Sequence, residues 1–362
     1  MPGVLRVPQD VGLLSNKRMA LEVAVALAHL TGRRLSMPFE QPIGAAPVSS
    51  IPSDKSGRPA RLLDLLELPV PVVHPNEWSA DLEGSFAELH DWGAIAHGVC
   101  VTDSQISLDD AVFRDFRNGR KKIFTPPASD AQVVEIQGRL LCYFSYFFFA
   151  TGPARRNLHA LIRGVRPRRP YREIGPGIAA DLGSYNSVHM RRSDLTKGIK
   201  AYGAVTAETI ATNLAELLPT DEQLLVCSEM DAGDELFVPL LGKFSNVVFA
   251  NDLIVNDHRE SFFALPHHED NALGLVTQQL AARAKAFVGT MGSTFTAMIH
   301  RARVLDDPSE RFLFTADFSP SGPTFTDGEF LEMRDGAFTW NRVGLNMPPD
   351  VLAWFREWPE AA

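Results

Sequence analysis

The sequence predicts an α/β protein built on a doubly wound parallel sheet. Three observations point there. Strand and helix patterns alternate regularly over residues 187–315, the chain opens on a strand–loop–helix–strand pattern, and it is 362 residues long. Single hydrophobic cores stop growing at roughly 250–300 residues, so two domains are expected.

Residues 4–7 form a short apolar run that reads as a strand, and Pro8 to Leu14 read as a loop. Over residues 15–30, Met19, Val23, Ala26, Leu27 and Leu30 recur at helical spacing. Ser15 or Asn16 can cap this helix, and Gly32 ends it. A second strand begins at Arg34. Residues 41–61 are rich in Pro, Ser and Gly and should be irregular, and residues 69–150 show no readable order. The most apolar tract, 140–150, is about half the length of a membrane helix and reads as a buried helix or strand. The Pro- and Arg-rich stretch 164–170 reads as a solvated interdomain linker, with a phosphate-binding arm as the alternative.

Beyond the linker, strand candidates at 187–190, 224–227, 247–250, 286–289 and 311–315 alternate with helical windows at 207–218, 234–242, 271–285 and 294–303. Right-handed crossovers then give a parallel sheet. Residues 330–345 alternate around Arg334-Asp335-Gly336 as a hairpin with an Asp-Gly turn. An amphipathic helix is expected over 349–358.

A net charge of −9 provides no global field for nucleic acid or an anionic membrane, so neither is expected as a partner. An anionic ligand must instead meet a local cluster of arginine or lysine. Cys100, Cys142 and Cys227 are scattered without a CxxC pair, which fits neither a disulfide framework nor a zinc site. The opening Met1 to Arg6 does not read as a signal peptide or anchor, and a cytoplasmic location is expected.

Two segments place suggestive residues at the carboxyl ends of strands, where open α/β sheets bind ligands. Arg191 and Arg192 follow the 187–190 strand directly. A guanidinium gives a phosphate two parallel hydrogen bonds and keeps its charge when partly buried. Successive residues on an extended chain point opposite ways, so one arginine faces the ligand and its neighbour pairs with Asp194 or another carboxylate. An Arg–Asp surface network is the alternative. In the second segment, Phe287-Val288-Gly289 runs into Thr290-Met291-Gly292, and Ser293-Thr294 open a helix. Such a helix N-terminus is either an anion site or a plain cap.

The sequence contains no GxxxxGK[ST], GxSxG or HExxH motif, which counts against a P-loop NTPase, a common hydrolase and a zincin. It also lacks Asp-x-Asp, the usual carboxylate pair for holding a metal on a sugar diphosphate. His267-His268 with Glu269 and Asp270 reads as a solvated loop, with a metal site as the alternative.

His189-Met190-Arg191-Arg192-Ser193-Asp194 resembles the HxRR-x-D motif of the fucosyltransferase superfamily, which includes protein O-fucosyltransferases and α1,6-fucosyltransferases. Residues 284–295 are similar to a later motif of that superfamily. Gly12-Leu13-Leu14-Ser15-Asn16-Lys17-Arg18-Met19 resembles its Gly-Gly-Leu-Asn-Asn-Gln-Arg-Met opening. The resemblance implies a GT-B architecture, with two Rossmann-like domains facing across a cleft. Residues 1–165 would form the acceptor-side domain, 171–345 the nucleotide-sugar-binding domain, and 346–362 a C-terminal helix. It also implies that Arg191 contacts the β-phosphate, that His189 lies near the nucleotide, and that Ser293, Thr294 and Phe295 line the phosphate and sugar pocket. Ser228 and Glu229 would fall near the ribose, and Gly12 and Asn16 would approach the diphosphate and sugar from the first domain.

Leu13 and Ser15 depart from the opening motif, and Thr277 stands where several relatives carry a guanine-reading aspartate. The implied activity is inverting, metal-independent transfer from GDP-fucose to a hydroxyl acceptor, with no cofactor. Asp10 is the candidate base. The alternatives are another sugar nucleotide, such as a rhamnosyl donor, or a non-catalytic nucleotide-sugar-binding protein of the same fold.

Overall fold

The computed structural model describes residues 3–7, 13–36, 61–73, 86–91, 101–102, 105–106, 133–137, 157–158, 160–192, 206–267, 270–290, 293–306, 330–334 and 337–341. The first half of the chain builds a parallel sheet from β1 (Val4–Arg6), β2 (Arg34–Ser36), β4 (Val72–Val73), β5 (Phe86–Asp91) and β8 (Val133–Gln137), in the order β4-β2-β1-β8-β5. Three of these strands lie in the region whose sequence showed no order. Helix α2 (Leu62–Leu65) precedes β4, β6 (Val101–Thr102) pairs with β7 (Gln105–Ile106), and between β1 and β2 runs α1 (Leu14–Thr31). Its residues from Met19 to Ala28 are buried on every side, Glu22 included, and Glu22 lies 3.8 Å from Arg18 one turn earlier. Gly32 ends the helix with φ 63°, a left-handed conformation that costs glycine nothing.

The expected cap of α1 is corrected by the structure. The helix begins at Leu14 after Leu13, which contributes no side-chain cap. Ser15 and Asn16 therefore sit inside the first turn, and their side chains bond to other helices instead of to their own N–H groups.

The second sheet is formed by β10 (Asn186–Met190), β11 (Gln223–Ser228), β12 (Asn246–Phe249) and β13 (Phe287–Gly289), all parallel, in the order β12-β11-β10-β13. Every residue of β10 is buried, as expected for a central strand covered on both faces. The fifth strand candidate, 311–315, the tract 140–150 and the helix at 349–358 lie outside the described residues. Along the sheet run α3 (Arg169–Leu182), α4 (Ala207–Leu217), α5 (Val238–Lys243), α6 (Asp270–Ala282) and α7 (Thr294–Asp306). One apolar cluster runs from β1 and α1 through α3 and α6 to β11 and β13, and a second packs α4 and α5 on the opposite face. Cys227 belongs to the first cluster, where burial pushes its thiol pKa up and leaves it inert.

The linker reading of 164–170 is also sharpened. Arg166–Pro167 form a short strand, β9, antiparallel to β3 (Leu66–Glu67), and α3 starts at Arg169. Arg166 and Arg172 both pair with Glu67, and Arg169 pairs with Glu173 at 2.6 Å, so carboxylates occupy these guanidinium groups. The prolines hid α3 from a sequence reading. Pro170 sits in the first turn, where a missing N–H costs nothing, but Pro176 lies inside the helix. Strand β14 (Phe330–Arg334) pairs antiparallel with β15 (Ala337–Asn341), with Arg334 opposite Ala337, as the hairpin reading expects, while the expected turn residues Asp335 and Gly336 lie outside the described residues. Among the described residues no helix is long and apolar enough to cross a membrane.

Two glycines of α3 have opposite roles. A Cβ on Gly175 would stand 2.5 Å from the Cβ of Gln279 on α6, whereas one on Gly177 would meet nothing within 4 Å. Gly177→Ala should stabilise by about 1 kcal/mol through helix propensity. Gly175→Ala should destabilise by about 1–2 kcal/mol, because overpacking outweighs the same gain. Urea denaturation of both variants checks the opposite signs.

Candidate functional site

The winding of the second sheet locates the site. The chain runs β10, β11, β12 in one direction and then returns to place β13 on the far side of β10. The reversal opens a crevice beyond the carboxyl ends of β10 and β13, where such sheets bind ligands.

Past Met190 the main chain is held by side chains. The Arg191 N–H donates to Thr290 Oγ1 at 3.0 Å, and the Thr290 hydroxyl donates to the His189 carbonyl at 2.9 Å. From the other side, the Arg192 N–H donates to Glu229 Oε1 at 2.8 Å. Arg191 is half-buried, while Arg192 is buried.

His189 is buried, with Nδ1 2.7 Å from Thr296 Oγ1 and its ring stacked on Phe295 at 4.6 Å between centroids. Burial pushes its pKa down to about 4, and the Arg191 charge adds to the effect against an opposing pull from Glu229. The imidazole is therefore neutral at neutral pH. This packing explains Gly289, since a Cβ there would lie 2.2 Å from Thr296 Cγ2. The glycine lets α7 close onto the strand end.

Ser293 is buried just before α7, and its carbonyl accepts the Ala297 N–H at 3.0 Å. Thr294 donates its hydroxyl to Asn16 Oδ1 at 2.5 Å. One residue earlier in α1, Ser15 accepts from Gln278 Nε2 of α6 at 3.1 Å. The first turns of α1 and α7 are thus in contact, and neither contains an acidic residue. Each end carries roughly half a positive charge. With the Arg191 guanidinium, the locality sums to about two positive charges, which suits a diphosphate.

Arg191, His189, Ser293, Thr294, Phe295 and Asn16 therefore share one locality. Ser228 and Glu229 lie at the end of the neighbouring strand, and the Ser228 hydroxyl donates to the Met190 carbonyl at 3.0 Å. Beyond them a shallow polar pocket is lined by Ser228, Met230, Asp231, Phe249, Asn251 and Asp252. Thr277 is buried on α6 with no hydrogen bond to its hydroxyl among the described residues. It lies one turn beyond Gly274, which faces the Phe295 ring. Asp10, Gly12, Ser193 and Asp194 lie outside the described residues, as do His268 and Glu269. His267 Nε2 stands 3.8 Å from Asp64. Sequence reasoning missed Thr290, Thr296 and Gln278. Gly289 signalled a close approach, but the partner in that approach is seven residues further along.

No family model matches the chain, and no curated protein matches its sequence. Among solved structures, it is similar to NodZ α-1,6-fucosyltransferase soaked with GDP-fucose, at 15% identity over 83% of this chain and 92% of that chain, with a TM-score of 0.44. The fucosyltransferase NodZ from Bradyrhizobium matches at 15% identity over 94% and 99% of the two chains, with a TM-score of 0.47. POFUT1 in complex with GDP matches at 13% identity over 86% and 98%, with a TM-score of 0.43.

The depressed His189 pKa has a pH consequence. An unfolded imidazole takes up its proton near 6.5, whereas the folded one resists until about 4. Between these values the unfolded state binds more protons, so stability falls as the pH drops through that window and is unaffected above it. At about pH 5 the loss should reach about 2 kcal/mol relative to neutral pH. His189→Gln should flatten this part of the stability–pH curve, measured by thermal unfolding across the range.

Proposed function

We propose that the chain is a glycosyltransferase that takes its sugar from a nucleoside diphosphate donor, in the first instance GDP-fucose, and passes it to a hydroxyl acceptor. The observation that carries this reading is the meeting of two acid-free helix N-termini, at Asn16 and Thr294, beside Arg191 at the switch point of the sheet. That arrangement is built for a compact dianion. The ordered motif resemblance adds the sugar nucleotide, and with it a GT-B arrangement in which the donor lies on the second domain.

In the proposed reaction the bond between the sugar C1 and the β-phosphate oxygen breaks, and the acceptor oxygen attacks the opposite face of the sugar. Configuration is inverted through an oxocarbenium-like transition state. Negative charge grows on the departing diphosphate, where the Arg191 guanidinium and the α7 terminus are already in place to receive it. The sequence has no Asp-x-Asp to hold a metal there, so these groups carry the neutralisation. The neutral His189 and its Phe295 partner form one wall of the site, and Ser228 and Glu229 stand on the ribose side. Asp10 takes the acceptor proton, and the reaction is cytoplasmic.

Two measurements test the reading. A thermal-shift screen of nucleoside diphosphates should show GDP raising Tm above UDP, dTDP and ADP; another base at the top would redirect the donor. Arg191→Ala should lower turnover of the donor sugar, including slow hydrolysis of GDP-fucose, by about 10²–10³-fold, the usual cost of a lost transition-state donor. Near-normal turnover in that variant would overturn the assignment. Tight GDP binding with no turnover in the wild-type protein would favour a non-catalytic binding protein.

A further inference from the structure

The parallel pairing of β10 with β13 stops at His189 opposite Gly289, two residues before Arg191. The Arg191 N–H nevertheless has a partner, because the Thr290 side chain extends the ladder where the backbone no longer does. We propose that Thr290 is a positioning residue: its hydroxyl fixes the direction in which Arg191 presents its guanidinium to the diphosphate. The proposal rests on the reading of Arg191 as the phosphate ligand.

Thr290 is fully buried, and its hydroxyl is engaged in both directions, accepting from Arg191 and donating to the His189 carbonyl. That carbonyl also receives the Thr290 N–H at 3.1 Å, so it keeps a partner when the hydroxyl is removed, whereas the Arg191 N–H loses the acceptor that Thr290 supplies. On the far side Glu229 holds the Arg192 N–H. The two successive N–H groups are thus pulled toward opposite neighbouring strands. This keeps the dipeptide extended and sends its two side chains opposite ways. The long arginine side chain acts as a lever, so a small backbone rotation at residue 191 displaces the guanidinium, and a misplacement of about 1 Å can cost about 10²-fold in rate.

Thr290 also reaches the other half of the anion site. Its carbonyl accepts the Ser293 N–H at 3.3 Å, immediately before α7 begins. One buried residue therefore sets the spacing between the guanidinium and the helix end.

The test is titration calorimetry with GDP on the full chain, together with thermal unfolding. Thr290→Val keeps the volume and removes the hydroxyl, and should weaken GDP binding about tenfold or more, within the range of a mispositioned group. Thr290→Ser keeps the hydroxyl and should bind GDP within about threefold of wild type; a tenfold loss in this variant would assign the effect to methyl packing and overturn the proposal. The same valine change in an Arg191→Lys background, where a flexible ammonium replaces the fixed fork, should cost less than about threefold. Equal losses in both backgrounds would show a purely structural role and sink the proposal, as would wild-type binding by Thr290→Val. If Arg191→Ala binds GDP as tightly as wild type, the reading of Arg191 itself fails and this proposal with it. A weak Arg191→Ala beside an unaffected Thr290→Val removes Thr290 alone.

Discussion

The contact between Asn16 and Thr294 is the constraint on which the site depends. It joins the first turns of two helices whose positive ends repel each other, each with roughly half a unit of charge. Bringing two such ends together is unfavourable in itself. The fold holds them together through the Ser15–Gln278 hydrogen bond and a continuous apolar cluster shared by α1, α6 and α7. Two helix ends are thereby held at one spot with their positive potentials adding, the feature on which the proposed anion site rests.

That convergence requires α7 to be aimed accurately, and its aim is set from both ends. At the carboxyl end, the fully buried Arg303 donates to the carbonyls of Ala282, Ala284 and Lys285, at 3.2, 2.5 and 3.2 Å. These carbonyls lie at and just past the end of α6, so a buried guanidinium on one helix satisfies the terminus of another. Helix α6 is tied in turn to the second sheet. The Tyr185 hydroxyl donates to the Leu280 carbonyl and Ser187 Oγ to that of Ala281, both just before or within β10. At the amino end, Gly289 admits Thr296 against the strand, and His189 accepts the stack of Phe295. Arginine, strand and helix end are thereby locked into one frame.

Much of this frame was legible in the sequence. Regular alternation of apolar runs and helical periods identified all four strands of the second sheet and helices α4 to α7 to within a few residues, but not the helical turns Ala250–Asp252, Leu253–Asp257 and Arg259–Phe263 that follow β12. Gly32 was readable because a left-handed backbone selects glycine locally, and the pairing of β14 with β15 because both strands flank a short polar break. Arg191, Ser293 and Thr294 could be placed at element ends for the same reason. Helix α3 was not readable, since Pro170, Gly175, Pro176 and Gly177 all signal breaks and the helix survives by packing on α6. The strands β4, β5 and β8 were hidden because short parallel strands lack the alternation that marks a half-exposed strand.

The sequence by itself determined the local grammar of the protein: where strands end, where helices begin, and which arginines and hydroxyls stand at those junctions. These follow from backbone preferences that act over a few residues. Only the tertiary structure decided that Asn16 and Thr294, 278 positions apart, meet, and that Ser15 and Asn16 serve neighbouring helices in place of capping their own. It also decided that Thr290 holds the Arg191 backbone while Glu229 holds that of Arg192. Such pairings depend on the order of strands in the sheet and on the close approach of packed helices, and no local preference encodes either.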